Sequence, residues 1–283
     1  MTLLRIILSE RNISLFNQTT HTQEANPENS YLMKSILLHM TCFLLLIAGA
    51  KAQTDTISTK KGDLLIHPVL HGTLVLEYRG NTIYVDPYGG AEGFAGLPDA
   101  NLILITDIHG DHCDSASLAV VKKENSHMIV PAAVAEKLKG SFGKPEILAN
   151  GKKTTWEGIT IEALPMYNLP EAADSRHTKG RGNGYLLTIG SKRVYISGDT
   201  EDIPEMRALK DIDIAFICMN LPYTMSVDQA ADAVNEFKPA IVYPYHFRGK
   251  DGLSDIDHFR ELIEEEFETE GVEVRLRRWY PQQ

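Results

Sequence analysis

Asp107, His109, Asp111 and His112 place four potential metal ligands within six residues of one loop. The loop directly follows an unbroken apolar run, residues 102–105, which indicates a buried strand. Imidazole nitrogens and carboxylate oxygens are donors that zinc, manganese and iron bind in proteins. Because a buried strand holds the following loop at a fixed point of the fold, the pattern predicts a metal site at the end of this strand.

Three further residues of the same types also follow strand-like segments. His177 lies in a loop rich in Gly and Asn, Asp199 follows residues 193–197, and His246 ends the apolar run 241–244. A single histidine or aspartate after a strand is usually a turn or capping residue. The joint occurrence of several such residues favours a shared metal centre.

The segments that must position these loops alternate between strands and helices. In the first half, the periodicity predicts strands at 64–69, 73–78, 82–85, 101–106 and 128–130, with a helix at 115–123. In the second half, it predicts strands at 160–164, 184–189, 193–197, 212–218, 240–244 and 272–276, with helices at 203–209, 227–237 and 255–267. No linker separates the halves, so residues 53–283 are predicted to form a single α/β domain of two sheets flanked by helices.

The composition is that of an acidic chain able to bury a core. Hydrophobic residues make up 43% and charged residues 23% of the sequence, and the formal net charge is -10. No lysine or arginine cluster forms a basic stripe, so nucleic acid is not expected as an obligate partner. Cys113, beside the loop, is interpreted as a packed thiol, because the loop already supplies enough ligands without it.

The first 52 residues are predicted to lie outside the domain. Met33 and Lys34 begin a short basic segment, residues 36–49 are mostly apolar, and the tripeptide Ala-Lys-Ala precedes Gln53. This pattern predicts a signal peptide at 33–52, with translation from Met33, a non-native upstream extension at 1–32, and export to the periplasm. The apolar run is shorter than the roughly 20 residues of a spanning helix, so no stable membrane span is expected.

With its candidate ligands in this order, the chain resembles the metallo-β-lactamase-fold metal-dependent hydrolases, in the branch that includes ascorbate-6-phosphate lactonase. The matching positions are Asp107-x-His109-x-Asp111-His112, His177 before Lys179-Gly180, Gly198-Asp199-Thr200, and His246. Weaker similarities are Ile83-Tyr84-Val85-Asp86-Pro87 and Asn220-x-Pro222-Tyr223-Thr224-Met225. The resemblance implies a four-layer αββα sandwich of two mixed β-sheets flanked by helices, with two divalent metal ions between the sheets.

The resemblance also divides the ligands between the two ions. It assigns Asp107, His109 and His177 to one ion, Asp111, His112 and His246 to the other, and Asp199 to both as a bridge. Asp107 stands where the family usually has its first histidine, and its harder, anionic oxygen favours manganese or iron, or lowers affinity at that site. Zinc is the expected ion, with manganese or iron as alternatives. A one-metal enzyme using mainly Asp111, His112 and His246 stays open, as does a metal-binding protein with little catalysis.

Hydrolysis is the chemistry that such a centre supports. Two ions that share a water lower its pKa and stabilise negative charge on a carbonyl or phosphoryl oxygen. The expected attacking group is therefore a metal-bound hydroxide, and the resemblance implies that Asp111, the candidate catalytic residue, orients it. The expected reaction is hydrolysis of a phosphodiester, lactone or related ester, and the alternative is a metal-binding or redox protein on the same fold.

The expected substrate is a small molecule. Arg176, Lys179 and Arg181 surround His177 in the sequence and could meet an anionic substrate, although a solvated loop explains these cations equally well. His71 and Tyr223 are candidates for the substrate wall. A hydrogen-bonded histidine beside a turn and a half-buried aromatic ring are equally good interpretations of these two residues.

Overall fold

Two seven-stranded β-sheets form the framework of the computed structural model, which describes residues 54–266 and 271–281. The predictions for residues 1–52 therefore lie outside the described residues. In the part of the chain that is described, no helix has the length and apolar character needed to cross a membrane.

The first sheet follows chain order. Its strands are β1 (Asp55–Thr59), β2 (Gly62–Leu70), β3 (Thr73–Tyr78), β4 (Asn81–Val85), β5 (Leu102–Leu104), β6 (His127–Val130) and β7 (Glu146–Ile147). Strands β1 to β4 pair antiparallel, and β4 to β7 pair parallel. Arg79 and Gly80 connect β3 to β4 at φ values of 52° and 80°, as a two-residue hairpin turn requires.

The second sheet has the order β16-β13-β12-β11-β10-β9-β8. Its strands are β8 (Lys153–Trp156), β9 (Ile159–Leu164), β10 (Gly184–Ile189), β11 (Lys192–Ile196), β12 (Ile214–Cys218), β13 (Ile241–Tyr245) and β16 (Glu273–Val274). The pairs from β8 to β11 are antiparallel and those from β11 to β16 are parallel. A short ribbon of β14 (Arg248–Gly249) and β15 (Gly252–Leu253) lies apart from both sheets.

Helices cover the sheets on their outer sides. They are α1 (Gly90–Gly93), α2 (Ser115–Val121), α3 (Ala132–Leu138), α4 (Pro204–Arg207), α5 (Val227–Phe237) and α6 (Ile256–Glu261). In β5, Leu102 and Leu104 pack into the large core cluster shared with the second sheet, whereas Ile103 packs with Leu118 of α2 and Val134 of α3. Both faces of β5 are therefore covered, which explains its continuous apolar run. The predicted four-layer αββα sandwich is confirmed.

Several predicted boundaries differ from the observed ones. Strand β5 ends at Leu104, because the Thr106 N–H leaves the sheet and donates to Asp86 Oδ1 at 2.7 Å. The predicted helix at 255–267 is α6 followed by a π-helical turn, Leu262–Glu266, and residue 267 is outside the described range. The elements that were not predicted are all short: strands β1, β7, β8, β14 and β15 and helices α1 and α3 have between two and seven residues, too few for a periodic pattern to stand out.

Candidate metal centre

The structure brings all seven predicted ligands together. The loop after β5 carries Asp107, His109, Asp111 and His112, the segment between β9 and β10 carries His177, and Asp199 and His246 follow β11 and β13. Three groups have ligand atoms within 4.8 Å of one another: Asp107, His109 and His177; His112, Asp199 and His246; and His71, Asp111 and His246. Strand ends of both sheets therefore converge on one polar cluster.

Asp199 connects these groups. One of its carboxylate oxygens, Oδ2, lies 3.2 Å from His112 Nε2 and 3.2 Å from His177 Nε2. The other, Oδ1, lies 3.4 Å from His246 Nε2. Burial by itself raises the pKa of Asp199, but the positive charges of His246 and His112 and the close contacts of His112 and His177 lower it well below the usual value. An ionised carboxylate thus lies among three imidazoles.

Asp107 is fully buried beside a histidine and an arginine. Its Oδ2 lies 2.5 Å from His109 Nδ1, and the Arg181 guanidinium donates to Oδ1 at 3.2 Å and to Oδ2 at 3.3 Å. Burial alone raises the pKa of Asp107, but the hydrogen bond with His109 and the charges of His112, His109 and Arg181 lower it to about 2. The positive charge of Arg181 compensates the negative charge that an aspartate brings to a position usually held by histidine.

The other two predicted cations are also engaged. Lys179 Nζ lies 3.0 Å from Glu171 and 3.2 Å from Glu205. Arg176 lies over the ring of Tyr223, with its guanidinium carbon 4.4 Å from the ring centroid. The structure therefore gives Arg181 and Lys179 carboxylate partners within the chain, and a role of these cations in meeting a substrate stays a prediction.

The His246 side of the centre depends on close packing. The rings of His246 and His112 stack with their centroids 4.9 Å apart. The backbone N–H of His246 donates to the backbone carbonyl of His71 at 3.1 Å. A Cβ at Gly72 would lie 2.8 Å from His246 Cδ2, closer than real Cβ atoms approach. Gly72 therefore allows the ring of His246 to reach its place between the sheets.

The donor set fits metal ions. His177 Nε2 and Asp199 Oδ1 are buried and face the cluster, and neither has a hydrogen-bond partner of good geometry among the described residues. Leaving a buried polar atom unpaired costs about 1–3 kcal/mol. Nitrogen and carboxylate donors that converge in this way would be satisfied by divalent cations, so this cluster is a candidate metal centre.

Asp86 belongs to the centre although sequence reasoning treated it only as part of a weak motif. It follows β4, and its Oδ2 lies 2.8 Å from His112 Nδ1 and accepts a hydrogen bond from Thr106 Oγ1 at 2.5 Å. Burial raises the pKa of Asp86 despite its hydrogen bonds with His112 and Thr106. The Asp86 carboxylate accepts a hydrogen bond from His112 Nδ1 and so orients the imidazole ring with its Nε2 towards Asp199. The sequence feature that could have identified Asp86 is its position directly after the apolar strand β4, as for the other residues that follow strands into the centre.

Asp86→Asn is expected to weaken zinc binding by about 10–100-fold, as measured by chelator competition, because partners that orient a metal-binding histidine usually contribute this much. The amide would place an NH2 group where the carboxylate accepts from Thr106 or His112. Asp63→Asn is the control, since Asp63 is an exposed aspartate that accepts from Ser58. Equal zinc affinity in Asp86→Asn and the wild type would contradict this role.

A pocket of about 370 Å³ opens beside the centre, lined by Leu70, His71, Tyr88, Arg248, Tyr280 and Pro281. His71 separates this pocket from the metal ligands, because its Nε2 lies 3.1 Å from Asp111 Oδ2 and its Nδ1 lies 2.7 Å from the Tyr280 hydroxyl. Of the two candidates for the substrate wall, His71 lines this pocket and Tyr223 does not. Sequence reasoning missed Arg248 and Tyr280, which carry no motif.

Comparison with known proteins agrees with a metal-binding site in this chain, because the proteins that it resembles are metal-dependent hydrolases. The β-lactamase superfamily domain matches residues 65–246. A UPF0173 metal-dependent hydrolase of Pyrococcus abyssi is 27% identical over 192 residues, which are 64% of this chain and 84% of that protein. Another from Thermoplasma acidophilum is 33% identical over 170 residues, which are 57% of this chain and 72% of that protein.

A solved structure agrees with these relatives. The crystal structure of a Parabacteroides distasonis protein assigned to the metal-dependent hydrolases superimposes with a TM-score of 0.71 and 42% identity, covering 80% of this chain and 98% of that one. The resemblance to the metallo-β-lactamase fold is confirmed, while the narrower branch that includes ascorbate-6-phosphate lactonase stays a prediction. The chain belongs to the metallo-β-lactamase superfamily, among its metal-dependent hydrolases.

Proposed function

We propose that this metal-dependent hydrolase cleaves a phosphodiester, lactone or related ester in a small anionic substrate, with two divalent ions at the centre. The observation that carries the proposal is the position of Asp199, whose Oδ2 contacts both His177 of one ligand group and His112 of the other, and whose Oδ1 contacts His246. One carboxylate shared by two ligand groups is the arrangement that a two-ion hydrolytic site needs. When bound, such ions supply Lewis acidity and a water of lowered pKa.

Asp111 is suited to orient the attacking water. Its side chain is 31% exposed, whereas Asp107 and Asp199 are buried. Burial raises its pKa, but hydrogen bonds with His246 and His71 and the charge of His112 lower the pKa of Asp111 well below its usual range. A carboxylate that stays ionised can accept a hydrogen bond from water and hold it in line with the substrate.

His71 and Tyr280 support Asp111 from the pocket side. Burial and the positive charge of His246 lower the pKa of His71, and its interaction with Asp111 only partly offsets them. A neutral His71 must carry its proton at Nε2, because the ionised Asp111 can only accept. Nδ1 then accepts from the Tyr280 hydroxyl, which fixes the orientation of the ring.

A substrate panel tests the proposed function. The purified protein, with its metal content measured, is assayed with bis-p-nitrophenyl phosphate, a simple lactone and a cephalosporin. We expect turnover of the diester or the lactone that exceeds turnover of the cephalosporin, disappears with chelator and returns with zinc or manganese. Protein that holds its metal and turns over none of the three would support the metal-binding alternative instead.

We also propose that the enzyme acts after export. The support is the signal-peptide pattern of residues 33–52 and its Ala-Lys-Ala cleavage sequence. N-terminal sequencing of protein recovered from the periplasm checks this, with Gln53 as the expected first residue.

A further inference from the structure

We propose that the pocket beside His71 is the specificity pocket of this enzyme, and that it binds a planar organic group bearing a carboxylate or phosphate, with Arg248 as the anion-binding residue. The proposal deepens the proposed function, since it names the part of the substrate that does not react. It rests on the position of the pocket, on its lining and on the surroundings of Arg248.

The pocket lies next to the reacting atoms. The ring of His71 is 3.9 Å from the ring of His246, centroid to centroid, and its Nε2 contacts Asp111. A group held in the pocket would therefore lie one imidazole ring away from Asp111, so that an ester or phosphodiester bond attached to it has to extend past His71 to reach the ligands. Holding the non-reacting part of a substrate in this way is a common source of orientation in enzymes.

The walls suit a planar apolar group. Tyr88 and Tyr280 contribute aromatic rings, and Leu70 and Pro281 contribute aliphatic surface. A volume of about 370 Å³ is at the small end of ligand pockets, which are typically about 300–1,000 Å³. The pocket therefore fits one substituent of modest size rather than a polymer.

Arg248 supplies the charge. It is the only arginine or lysine among the pocket residues, and no described carboxylate lies within 4 Å of its guanidinium to form an ion pair. By contrast, Arg181 and Lys179 have carboxylate partners. The guanidinium lies over the ring of Tyr280 at 4.5 Å, which leaves its edge N–H groups available to a carboxylate or phosphate.

The backbone around Arg248 is held in place before any ligand binds. Its N–H donates to the Tyr280 hydroxyl at 3.1 Å, and the N–H of Lys250 donates to the carbonyl of Leu221 at 3.0 Å. A Cβ at Gly249 would lie 2.1 Å from the same carbonyl oxygen, so the ribbon packs against Leu221 as only glycine allows. A positioned cation loses less freedom on binding an anion, which favours affinity.

The test measures binding, so that it does not depend on which bond the enzyme cleaves. Benzoate, phenyl phosphate and the neutral analogue benzamide are titrated by calorimetry into the metal-loaded protein and into the chelator-treated protein. The chelator-treated arm separates Arg248 from the metal centre, because an anion bound only to metal loses its affinity there. The comparison of benzoate with phenyl phosphate distinguishes a carboxylate site from a phosphate site.

We expect at least one of the two anions to bind both forms of the protein, and Arg248→Gln to weaken that binding about tenfold to a hundredfold. Lys250→Gln is the matched control, because it removes one positive charge from the same ribbon outside the pocket, and it is expected to leave the affinity unchanged. Benzamide should show no dependence on Arg248. In turnover assays with an anionic substrate, Arg248→Gln should raise KM with little change in kcat.

Three results would overturn the proposal: equal anion affinity in Arg248→Gln and the wild type, an equal loss in Lys250→Gln, or binding that chelator treatment abolishes. Arg248→Lys covers the case in which Arg248→Gln does not fold, and it should retain part of the affinity because it keeps the charge and loses the planar fork. Absence of turnover with intact, Arg248-dependent anion binding would contradict the proposed function and leave the pocket assignment standing.

Discussion

Asp199→Asn is expected to lower kcat/KM by about 1,000-fold or more, because metal ions supply several kcal/mol of transition-state stabilisation and both ligand groups lose their shared carboxylate. The metal content should fall in the same variant. In the structure, Asp199 Oδ2 lies 3.2 Å from both His112 Nε2 and His177 Nε2, so this one carboxylate contacts a histidine of each ligand group. Elemental analysis and steady-state kinetics on the same preparation measure the two effects.

Asp213→Asn is the control for this change. Asp213 precedes β12 and pairs with Lys192 at 2.8 Å, outside the ligand cluster. The control variant should keep its metal and most of its activity. If Asp199→Asn bound metal and hydrolysed substrate as the wild type does, the assignment of the centre to Asp199 would be wrong.

Asp107→Ala is expected to lower the ratio of metal to protein from near two towards one. The variant removes an oxygen donor and also leaves the positive Arg181, only 21% exposed, without its carboxylate partner beside the site. An uncompensated cation there repels a divalent ion. Elemental analysis measures the ratio, and an unchanged ratio would rule out Asp107 as a ligand.

The ion pair between Asp107 and Arg181 can be tested further by substituting both residues together. Asp107→His alone places an imidazole against the Arg181 guanidinium, so we expect no gain in zinc affinity from it. Combining Asp107→His with Arg181→Gln should raise zinc affinity above that of either single variant, and the non-additivity measures the coupling between the two positions. Additive effects would show that the two residues act independently.

Asp114→Ala is the control within the same loop. Asp114 caps α2 by accepting from Ser117 N–H at 2.9 Å and does not belong to the ligand groups. We expect it to cost about 0.5–2 kcal/mol of stability, the usual value for an N-cap. Its metal content should equal that of the wild type, which separates loss of a ligand from general damage to the loop.

Much of the framework could be predicted because its signals are local. Strand β12 is apolar at every position and buried on both faces, and α5 shows helical spacing with Ser226 capping its first turn. The Arg79-Gly80 turn defines the β3–β4 hairpin in the same way. Elements such as β8, with four residues, and α3, with seven, are too short for a repeat to stand out, and their place depends on the sheets against which they pack.

The sequence by itself determined the candidate ligands and their order along the chain, because each has a metal-binding side chain and all except His177, which lies in a long loop, closely follow an apolar segment. Only the tertiary structure decided which residues act beside them. Asp86 reaches His112 across 26 positions, Arg181 reaches Asp107 across 74, and Tyr280 reaches His71 across 209. Such pairs leave no local pattern, since they form where distant strand ends and the C-terminal segment meet, and charge and hydrogen bonding there depend on packing rather than spacing.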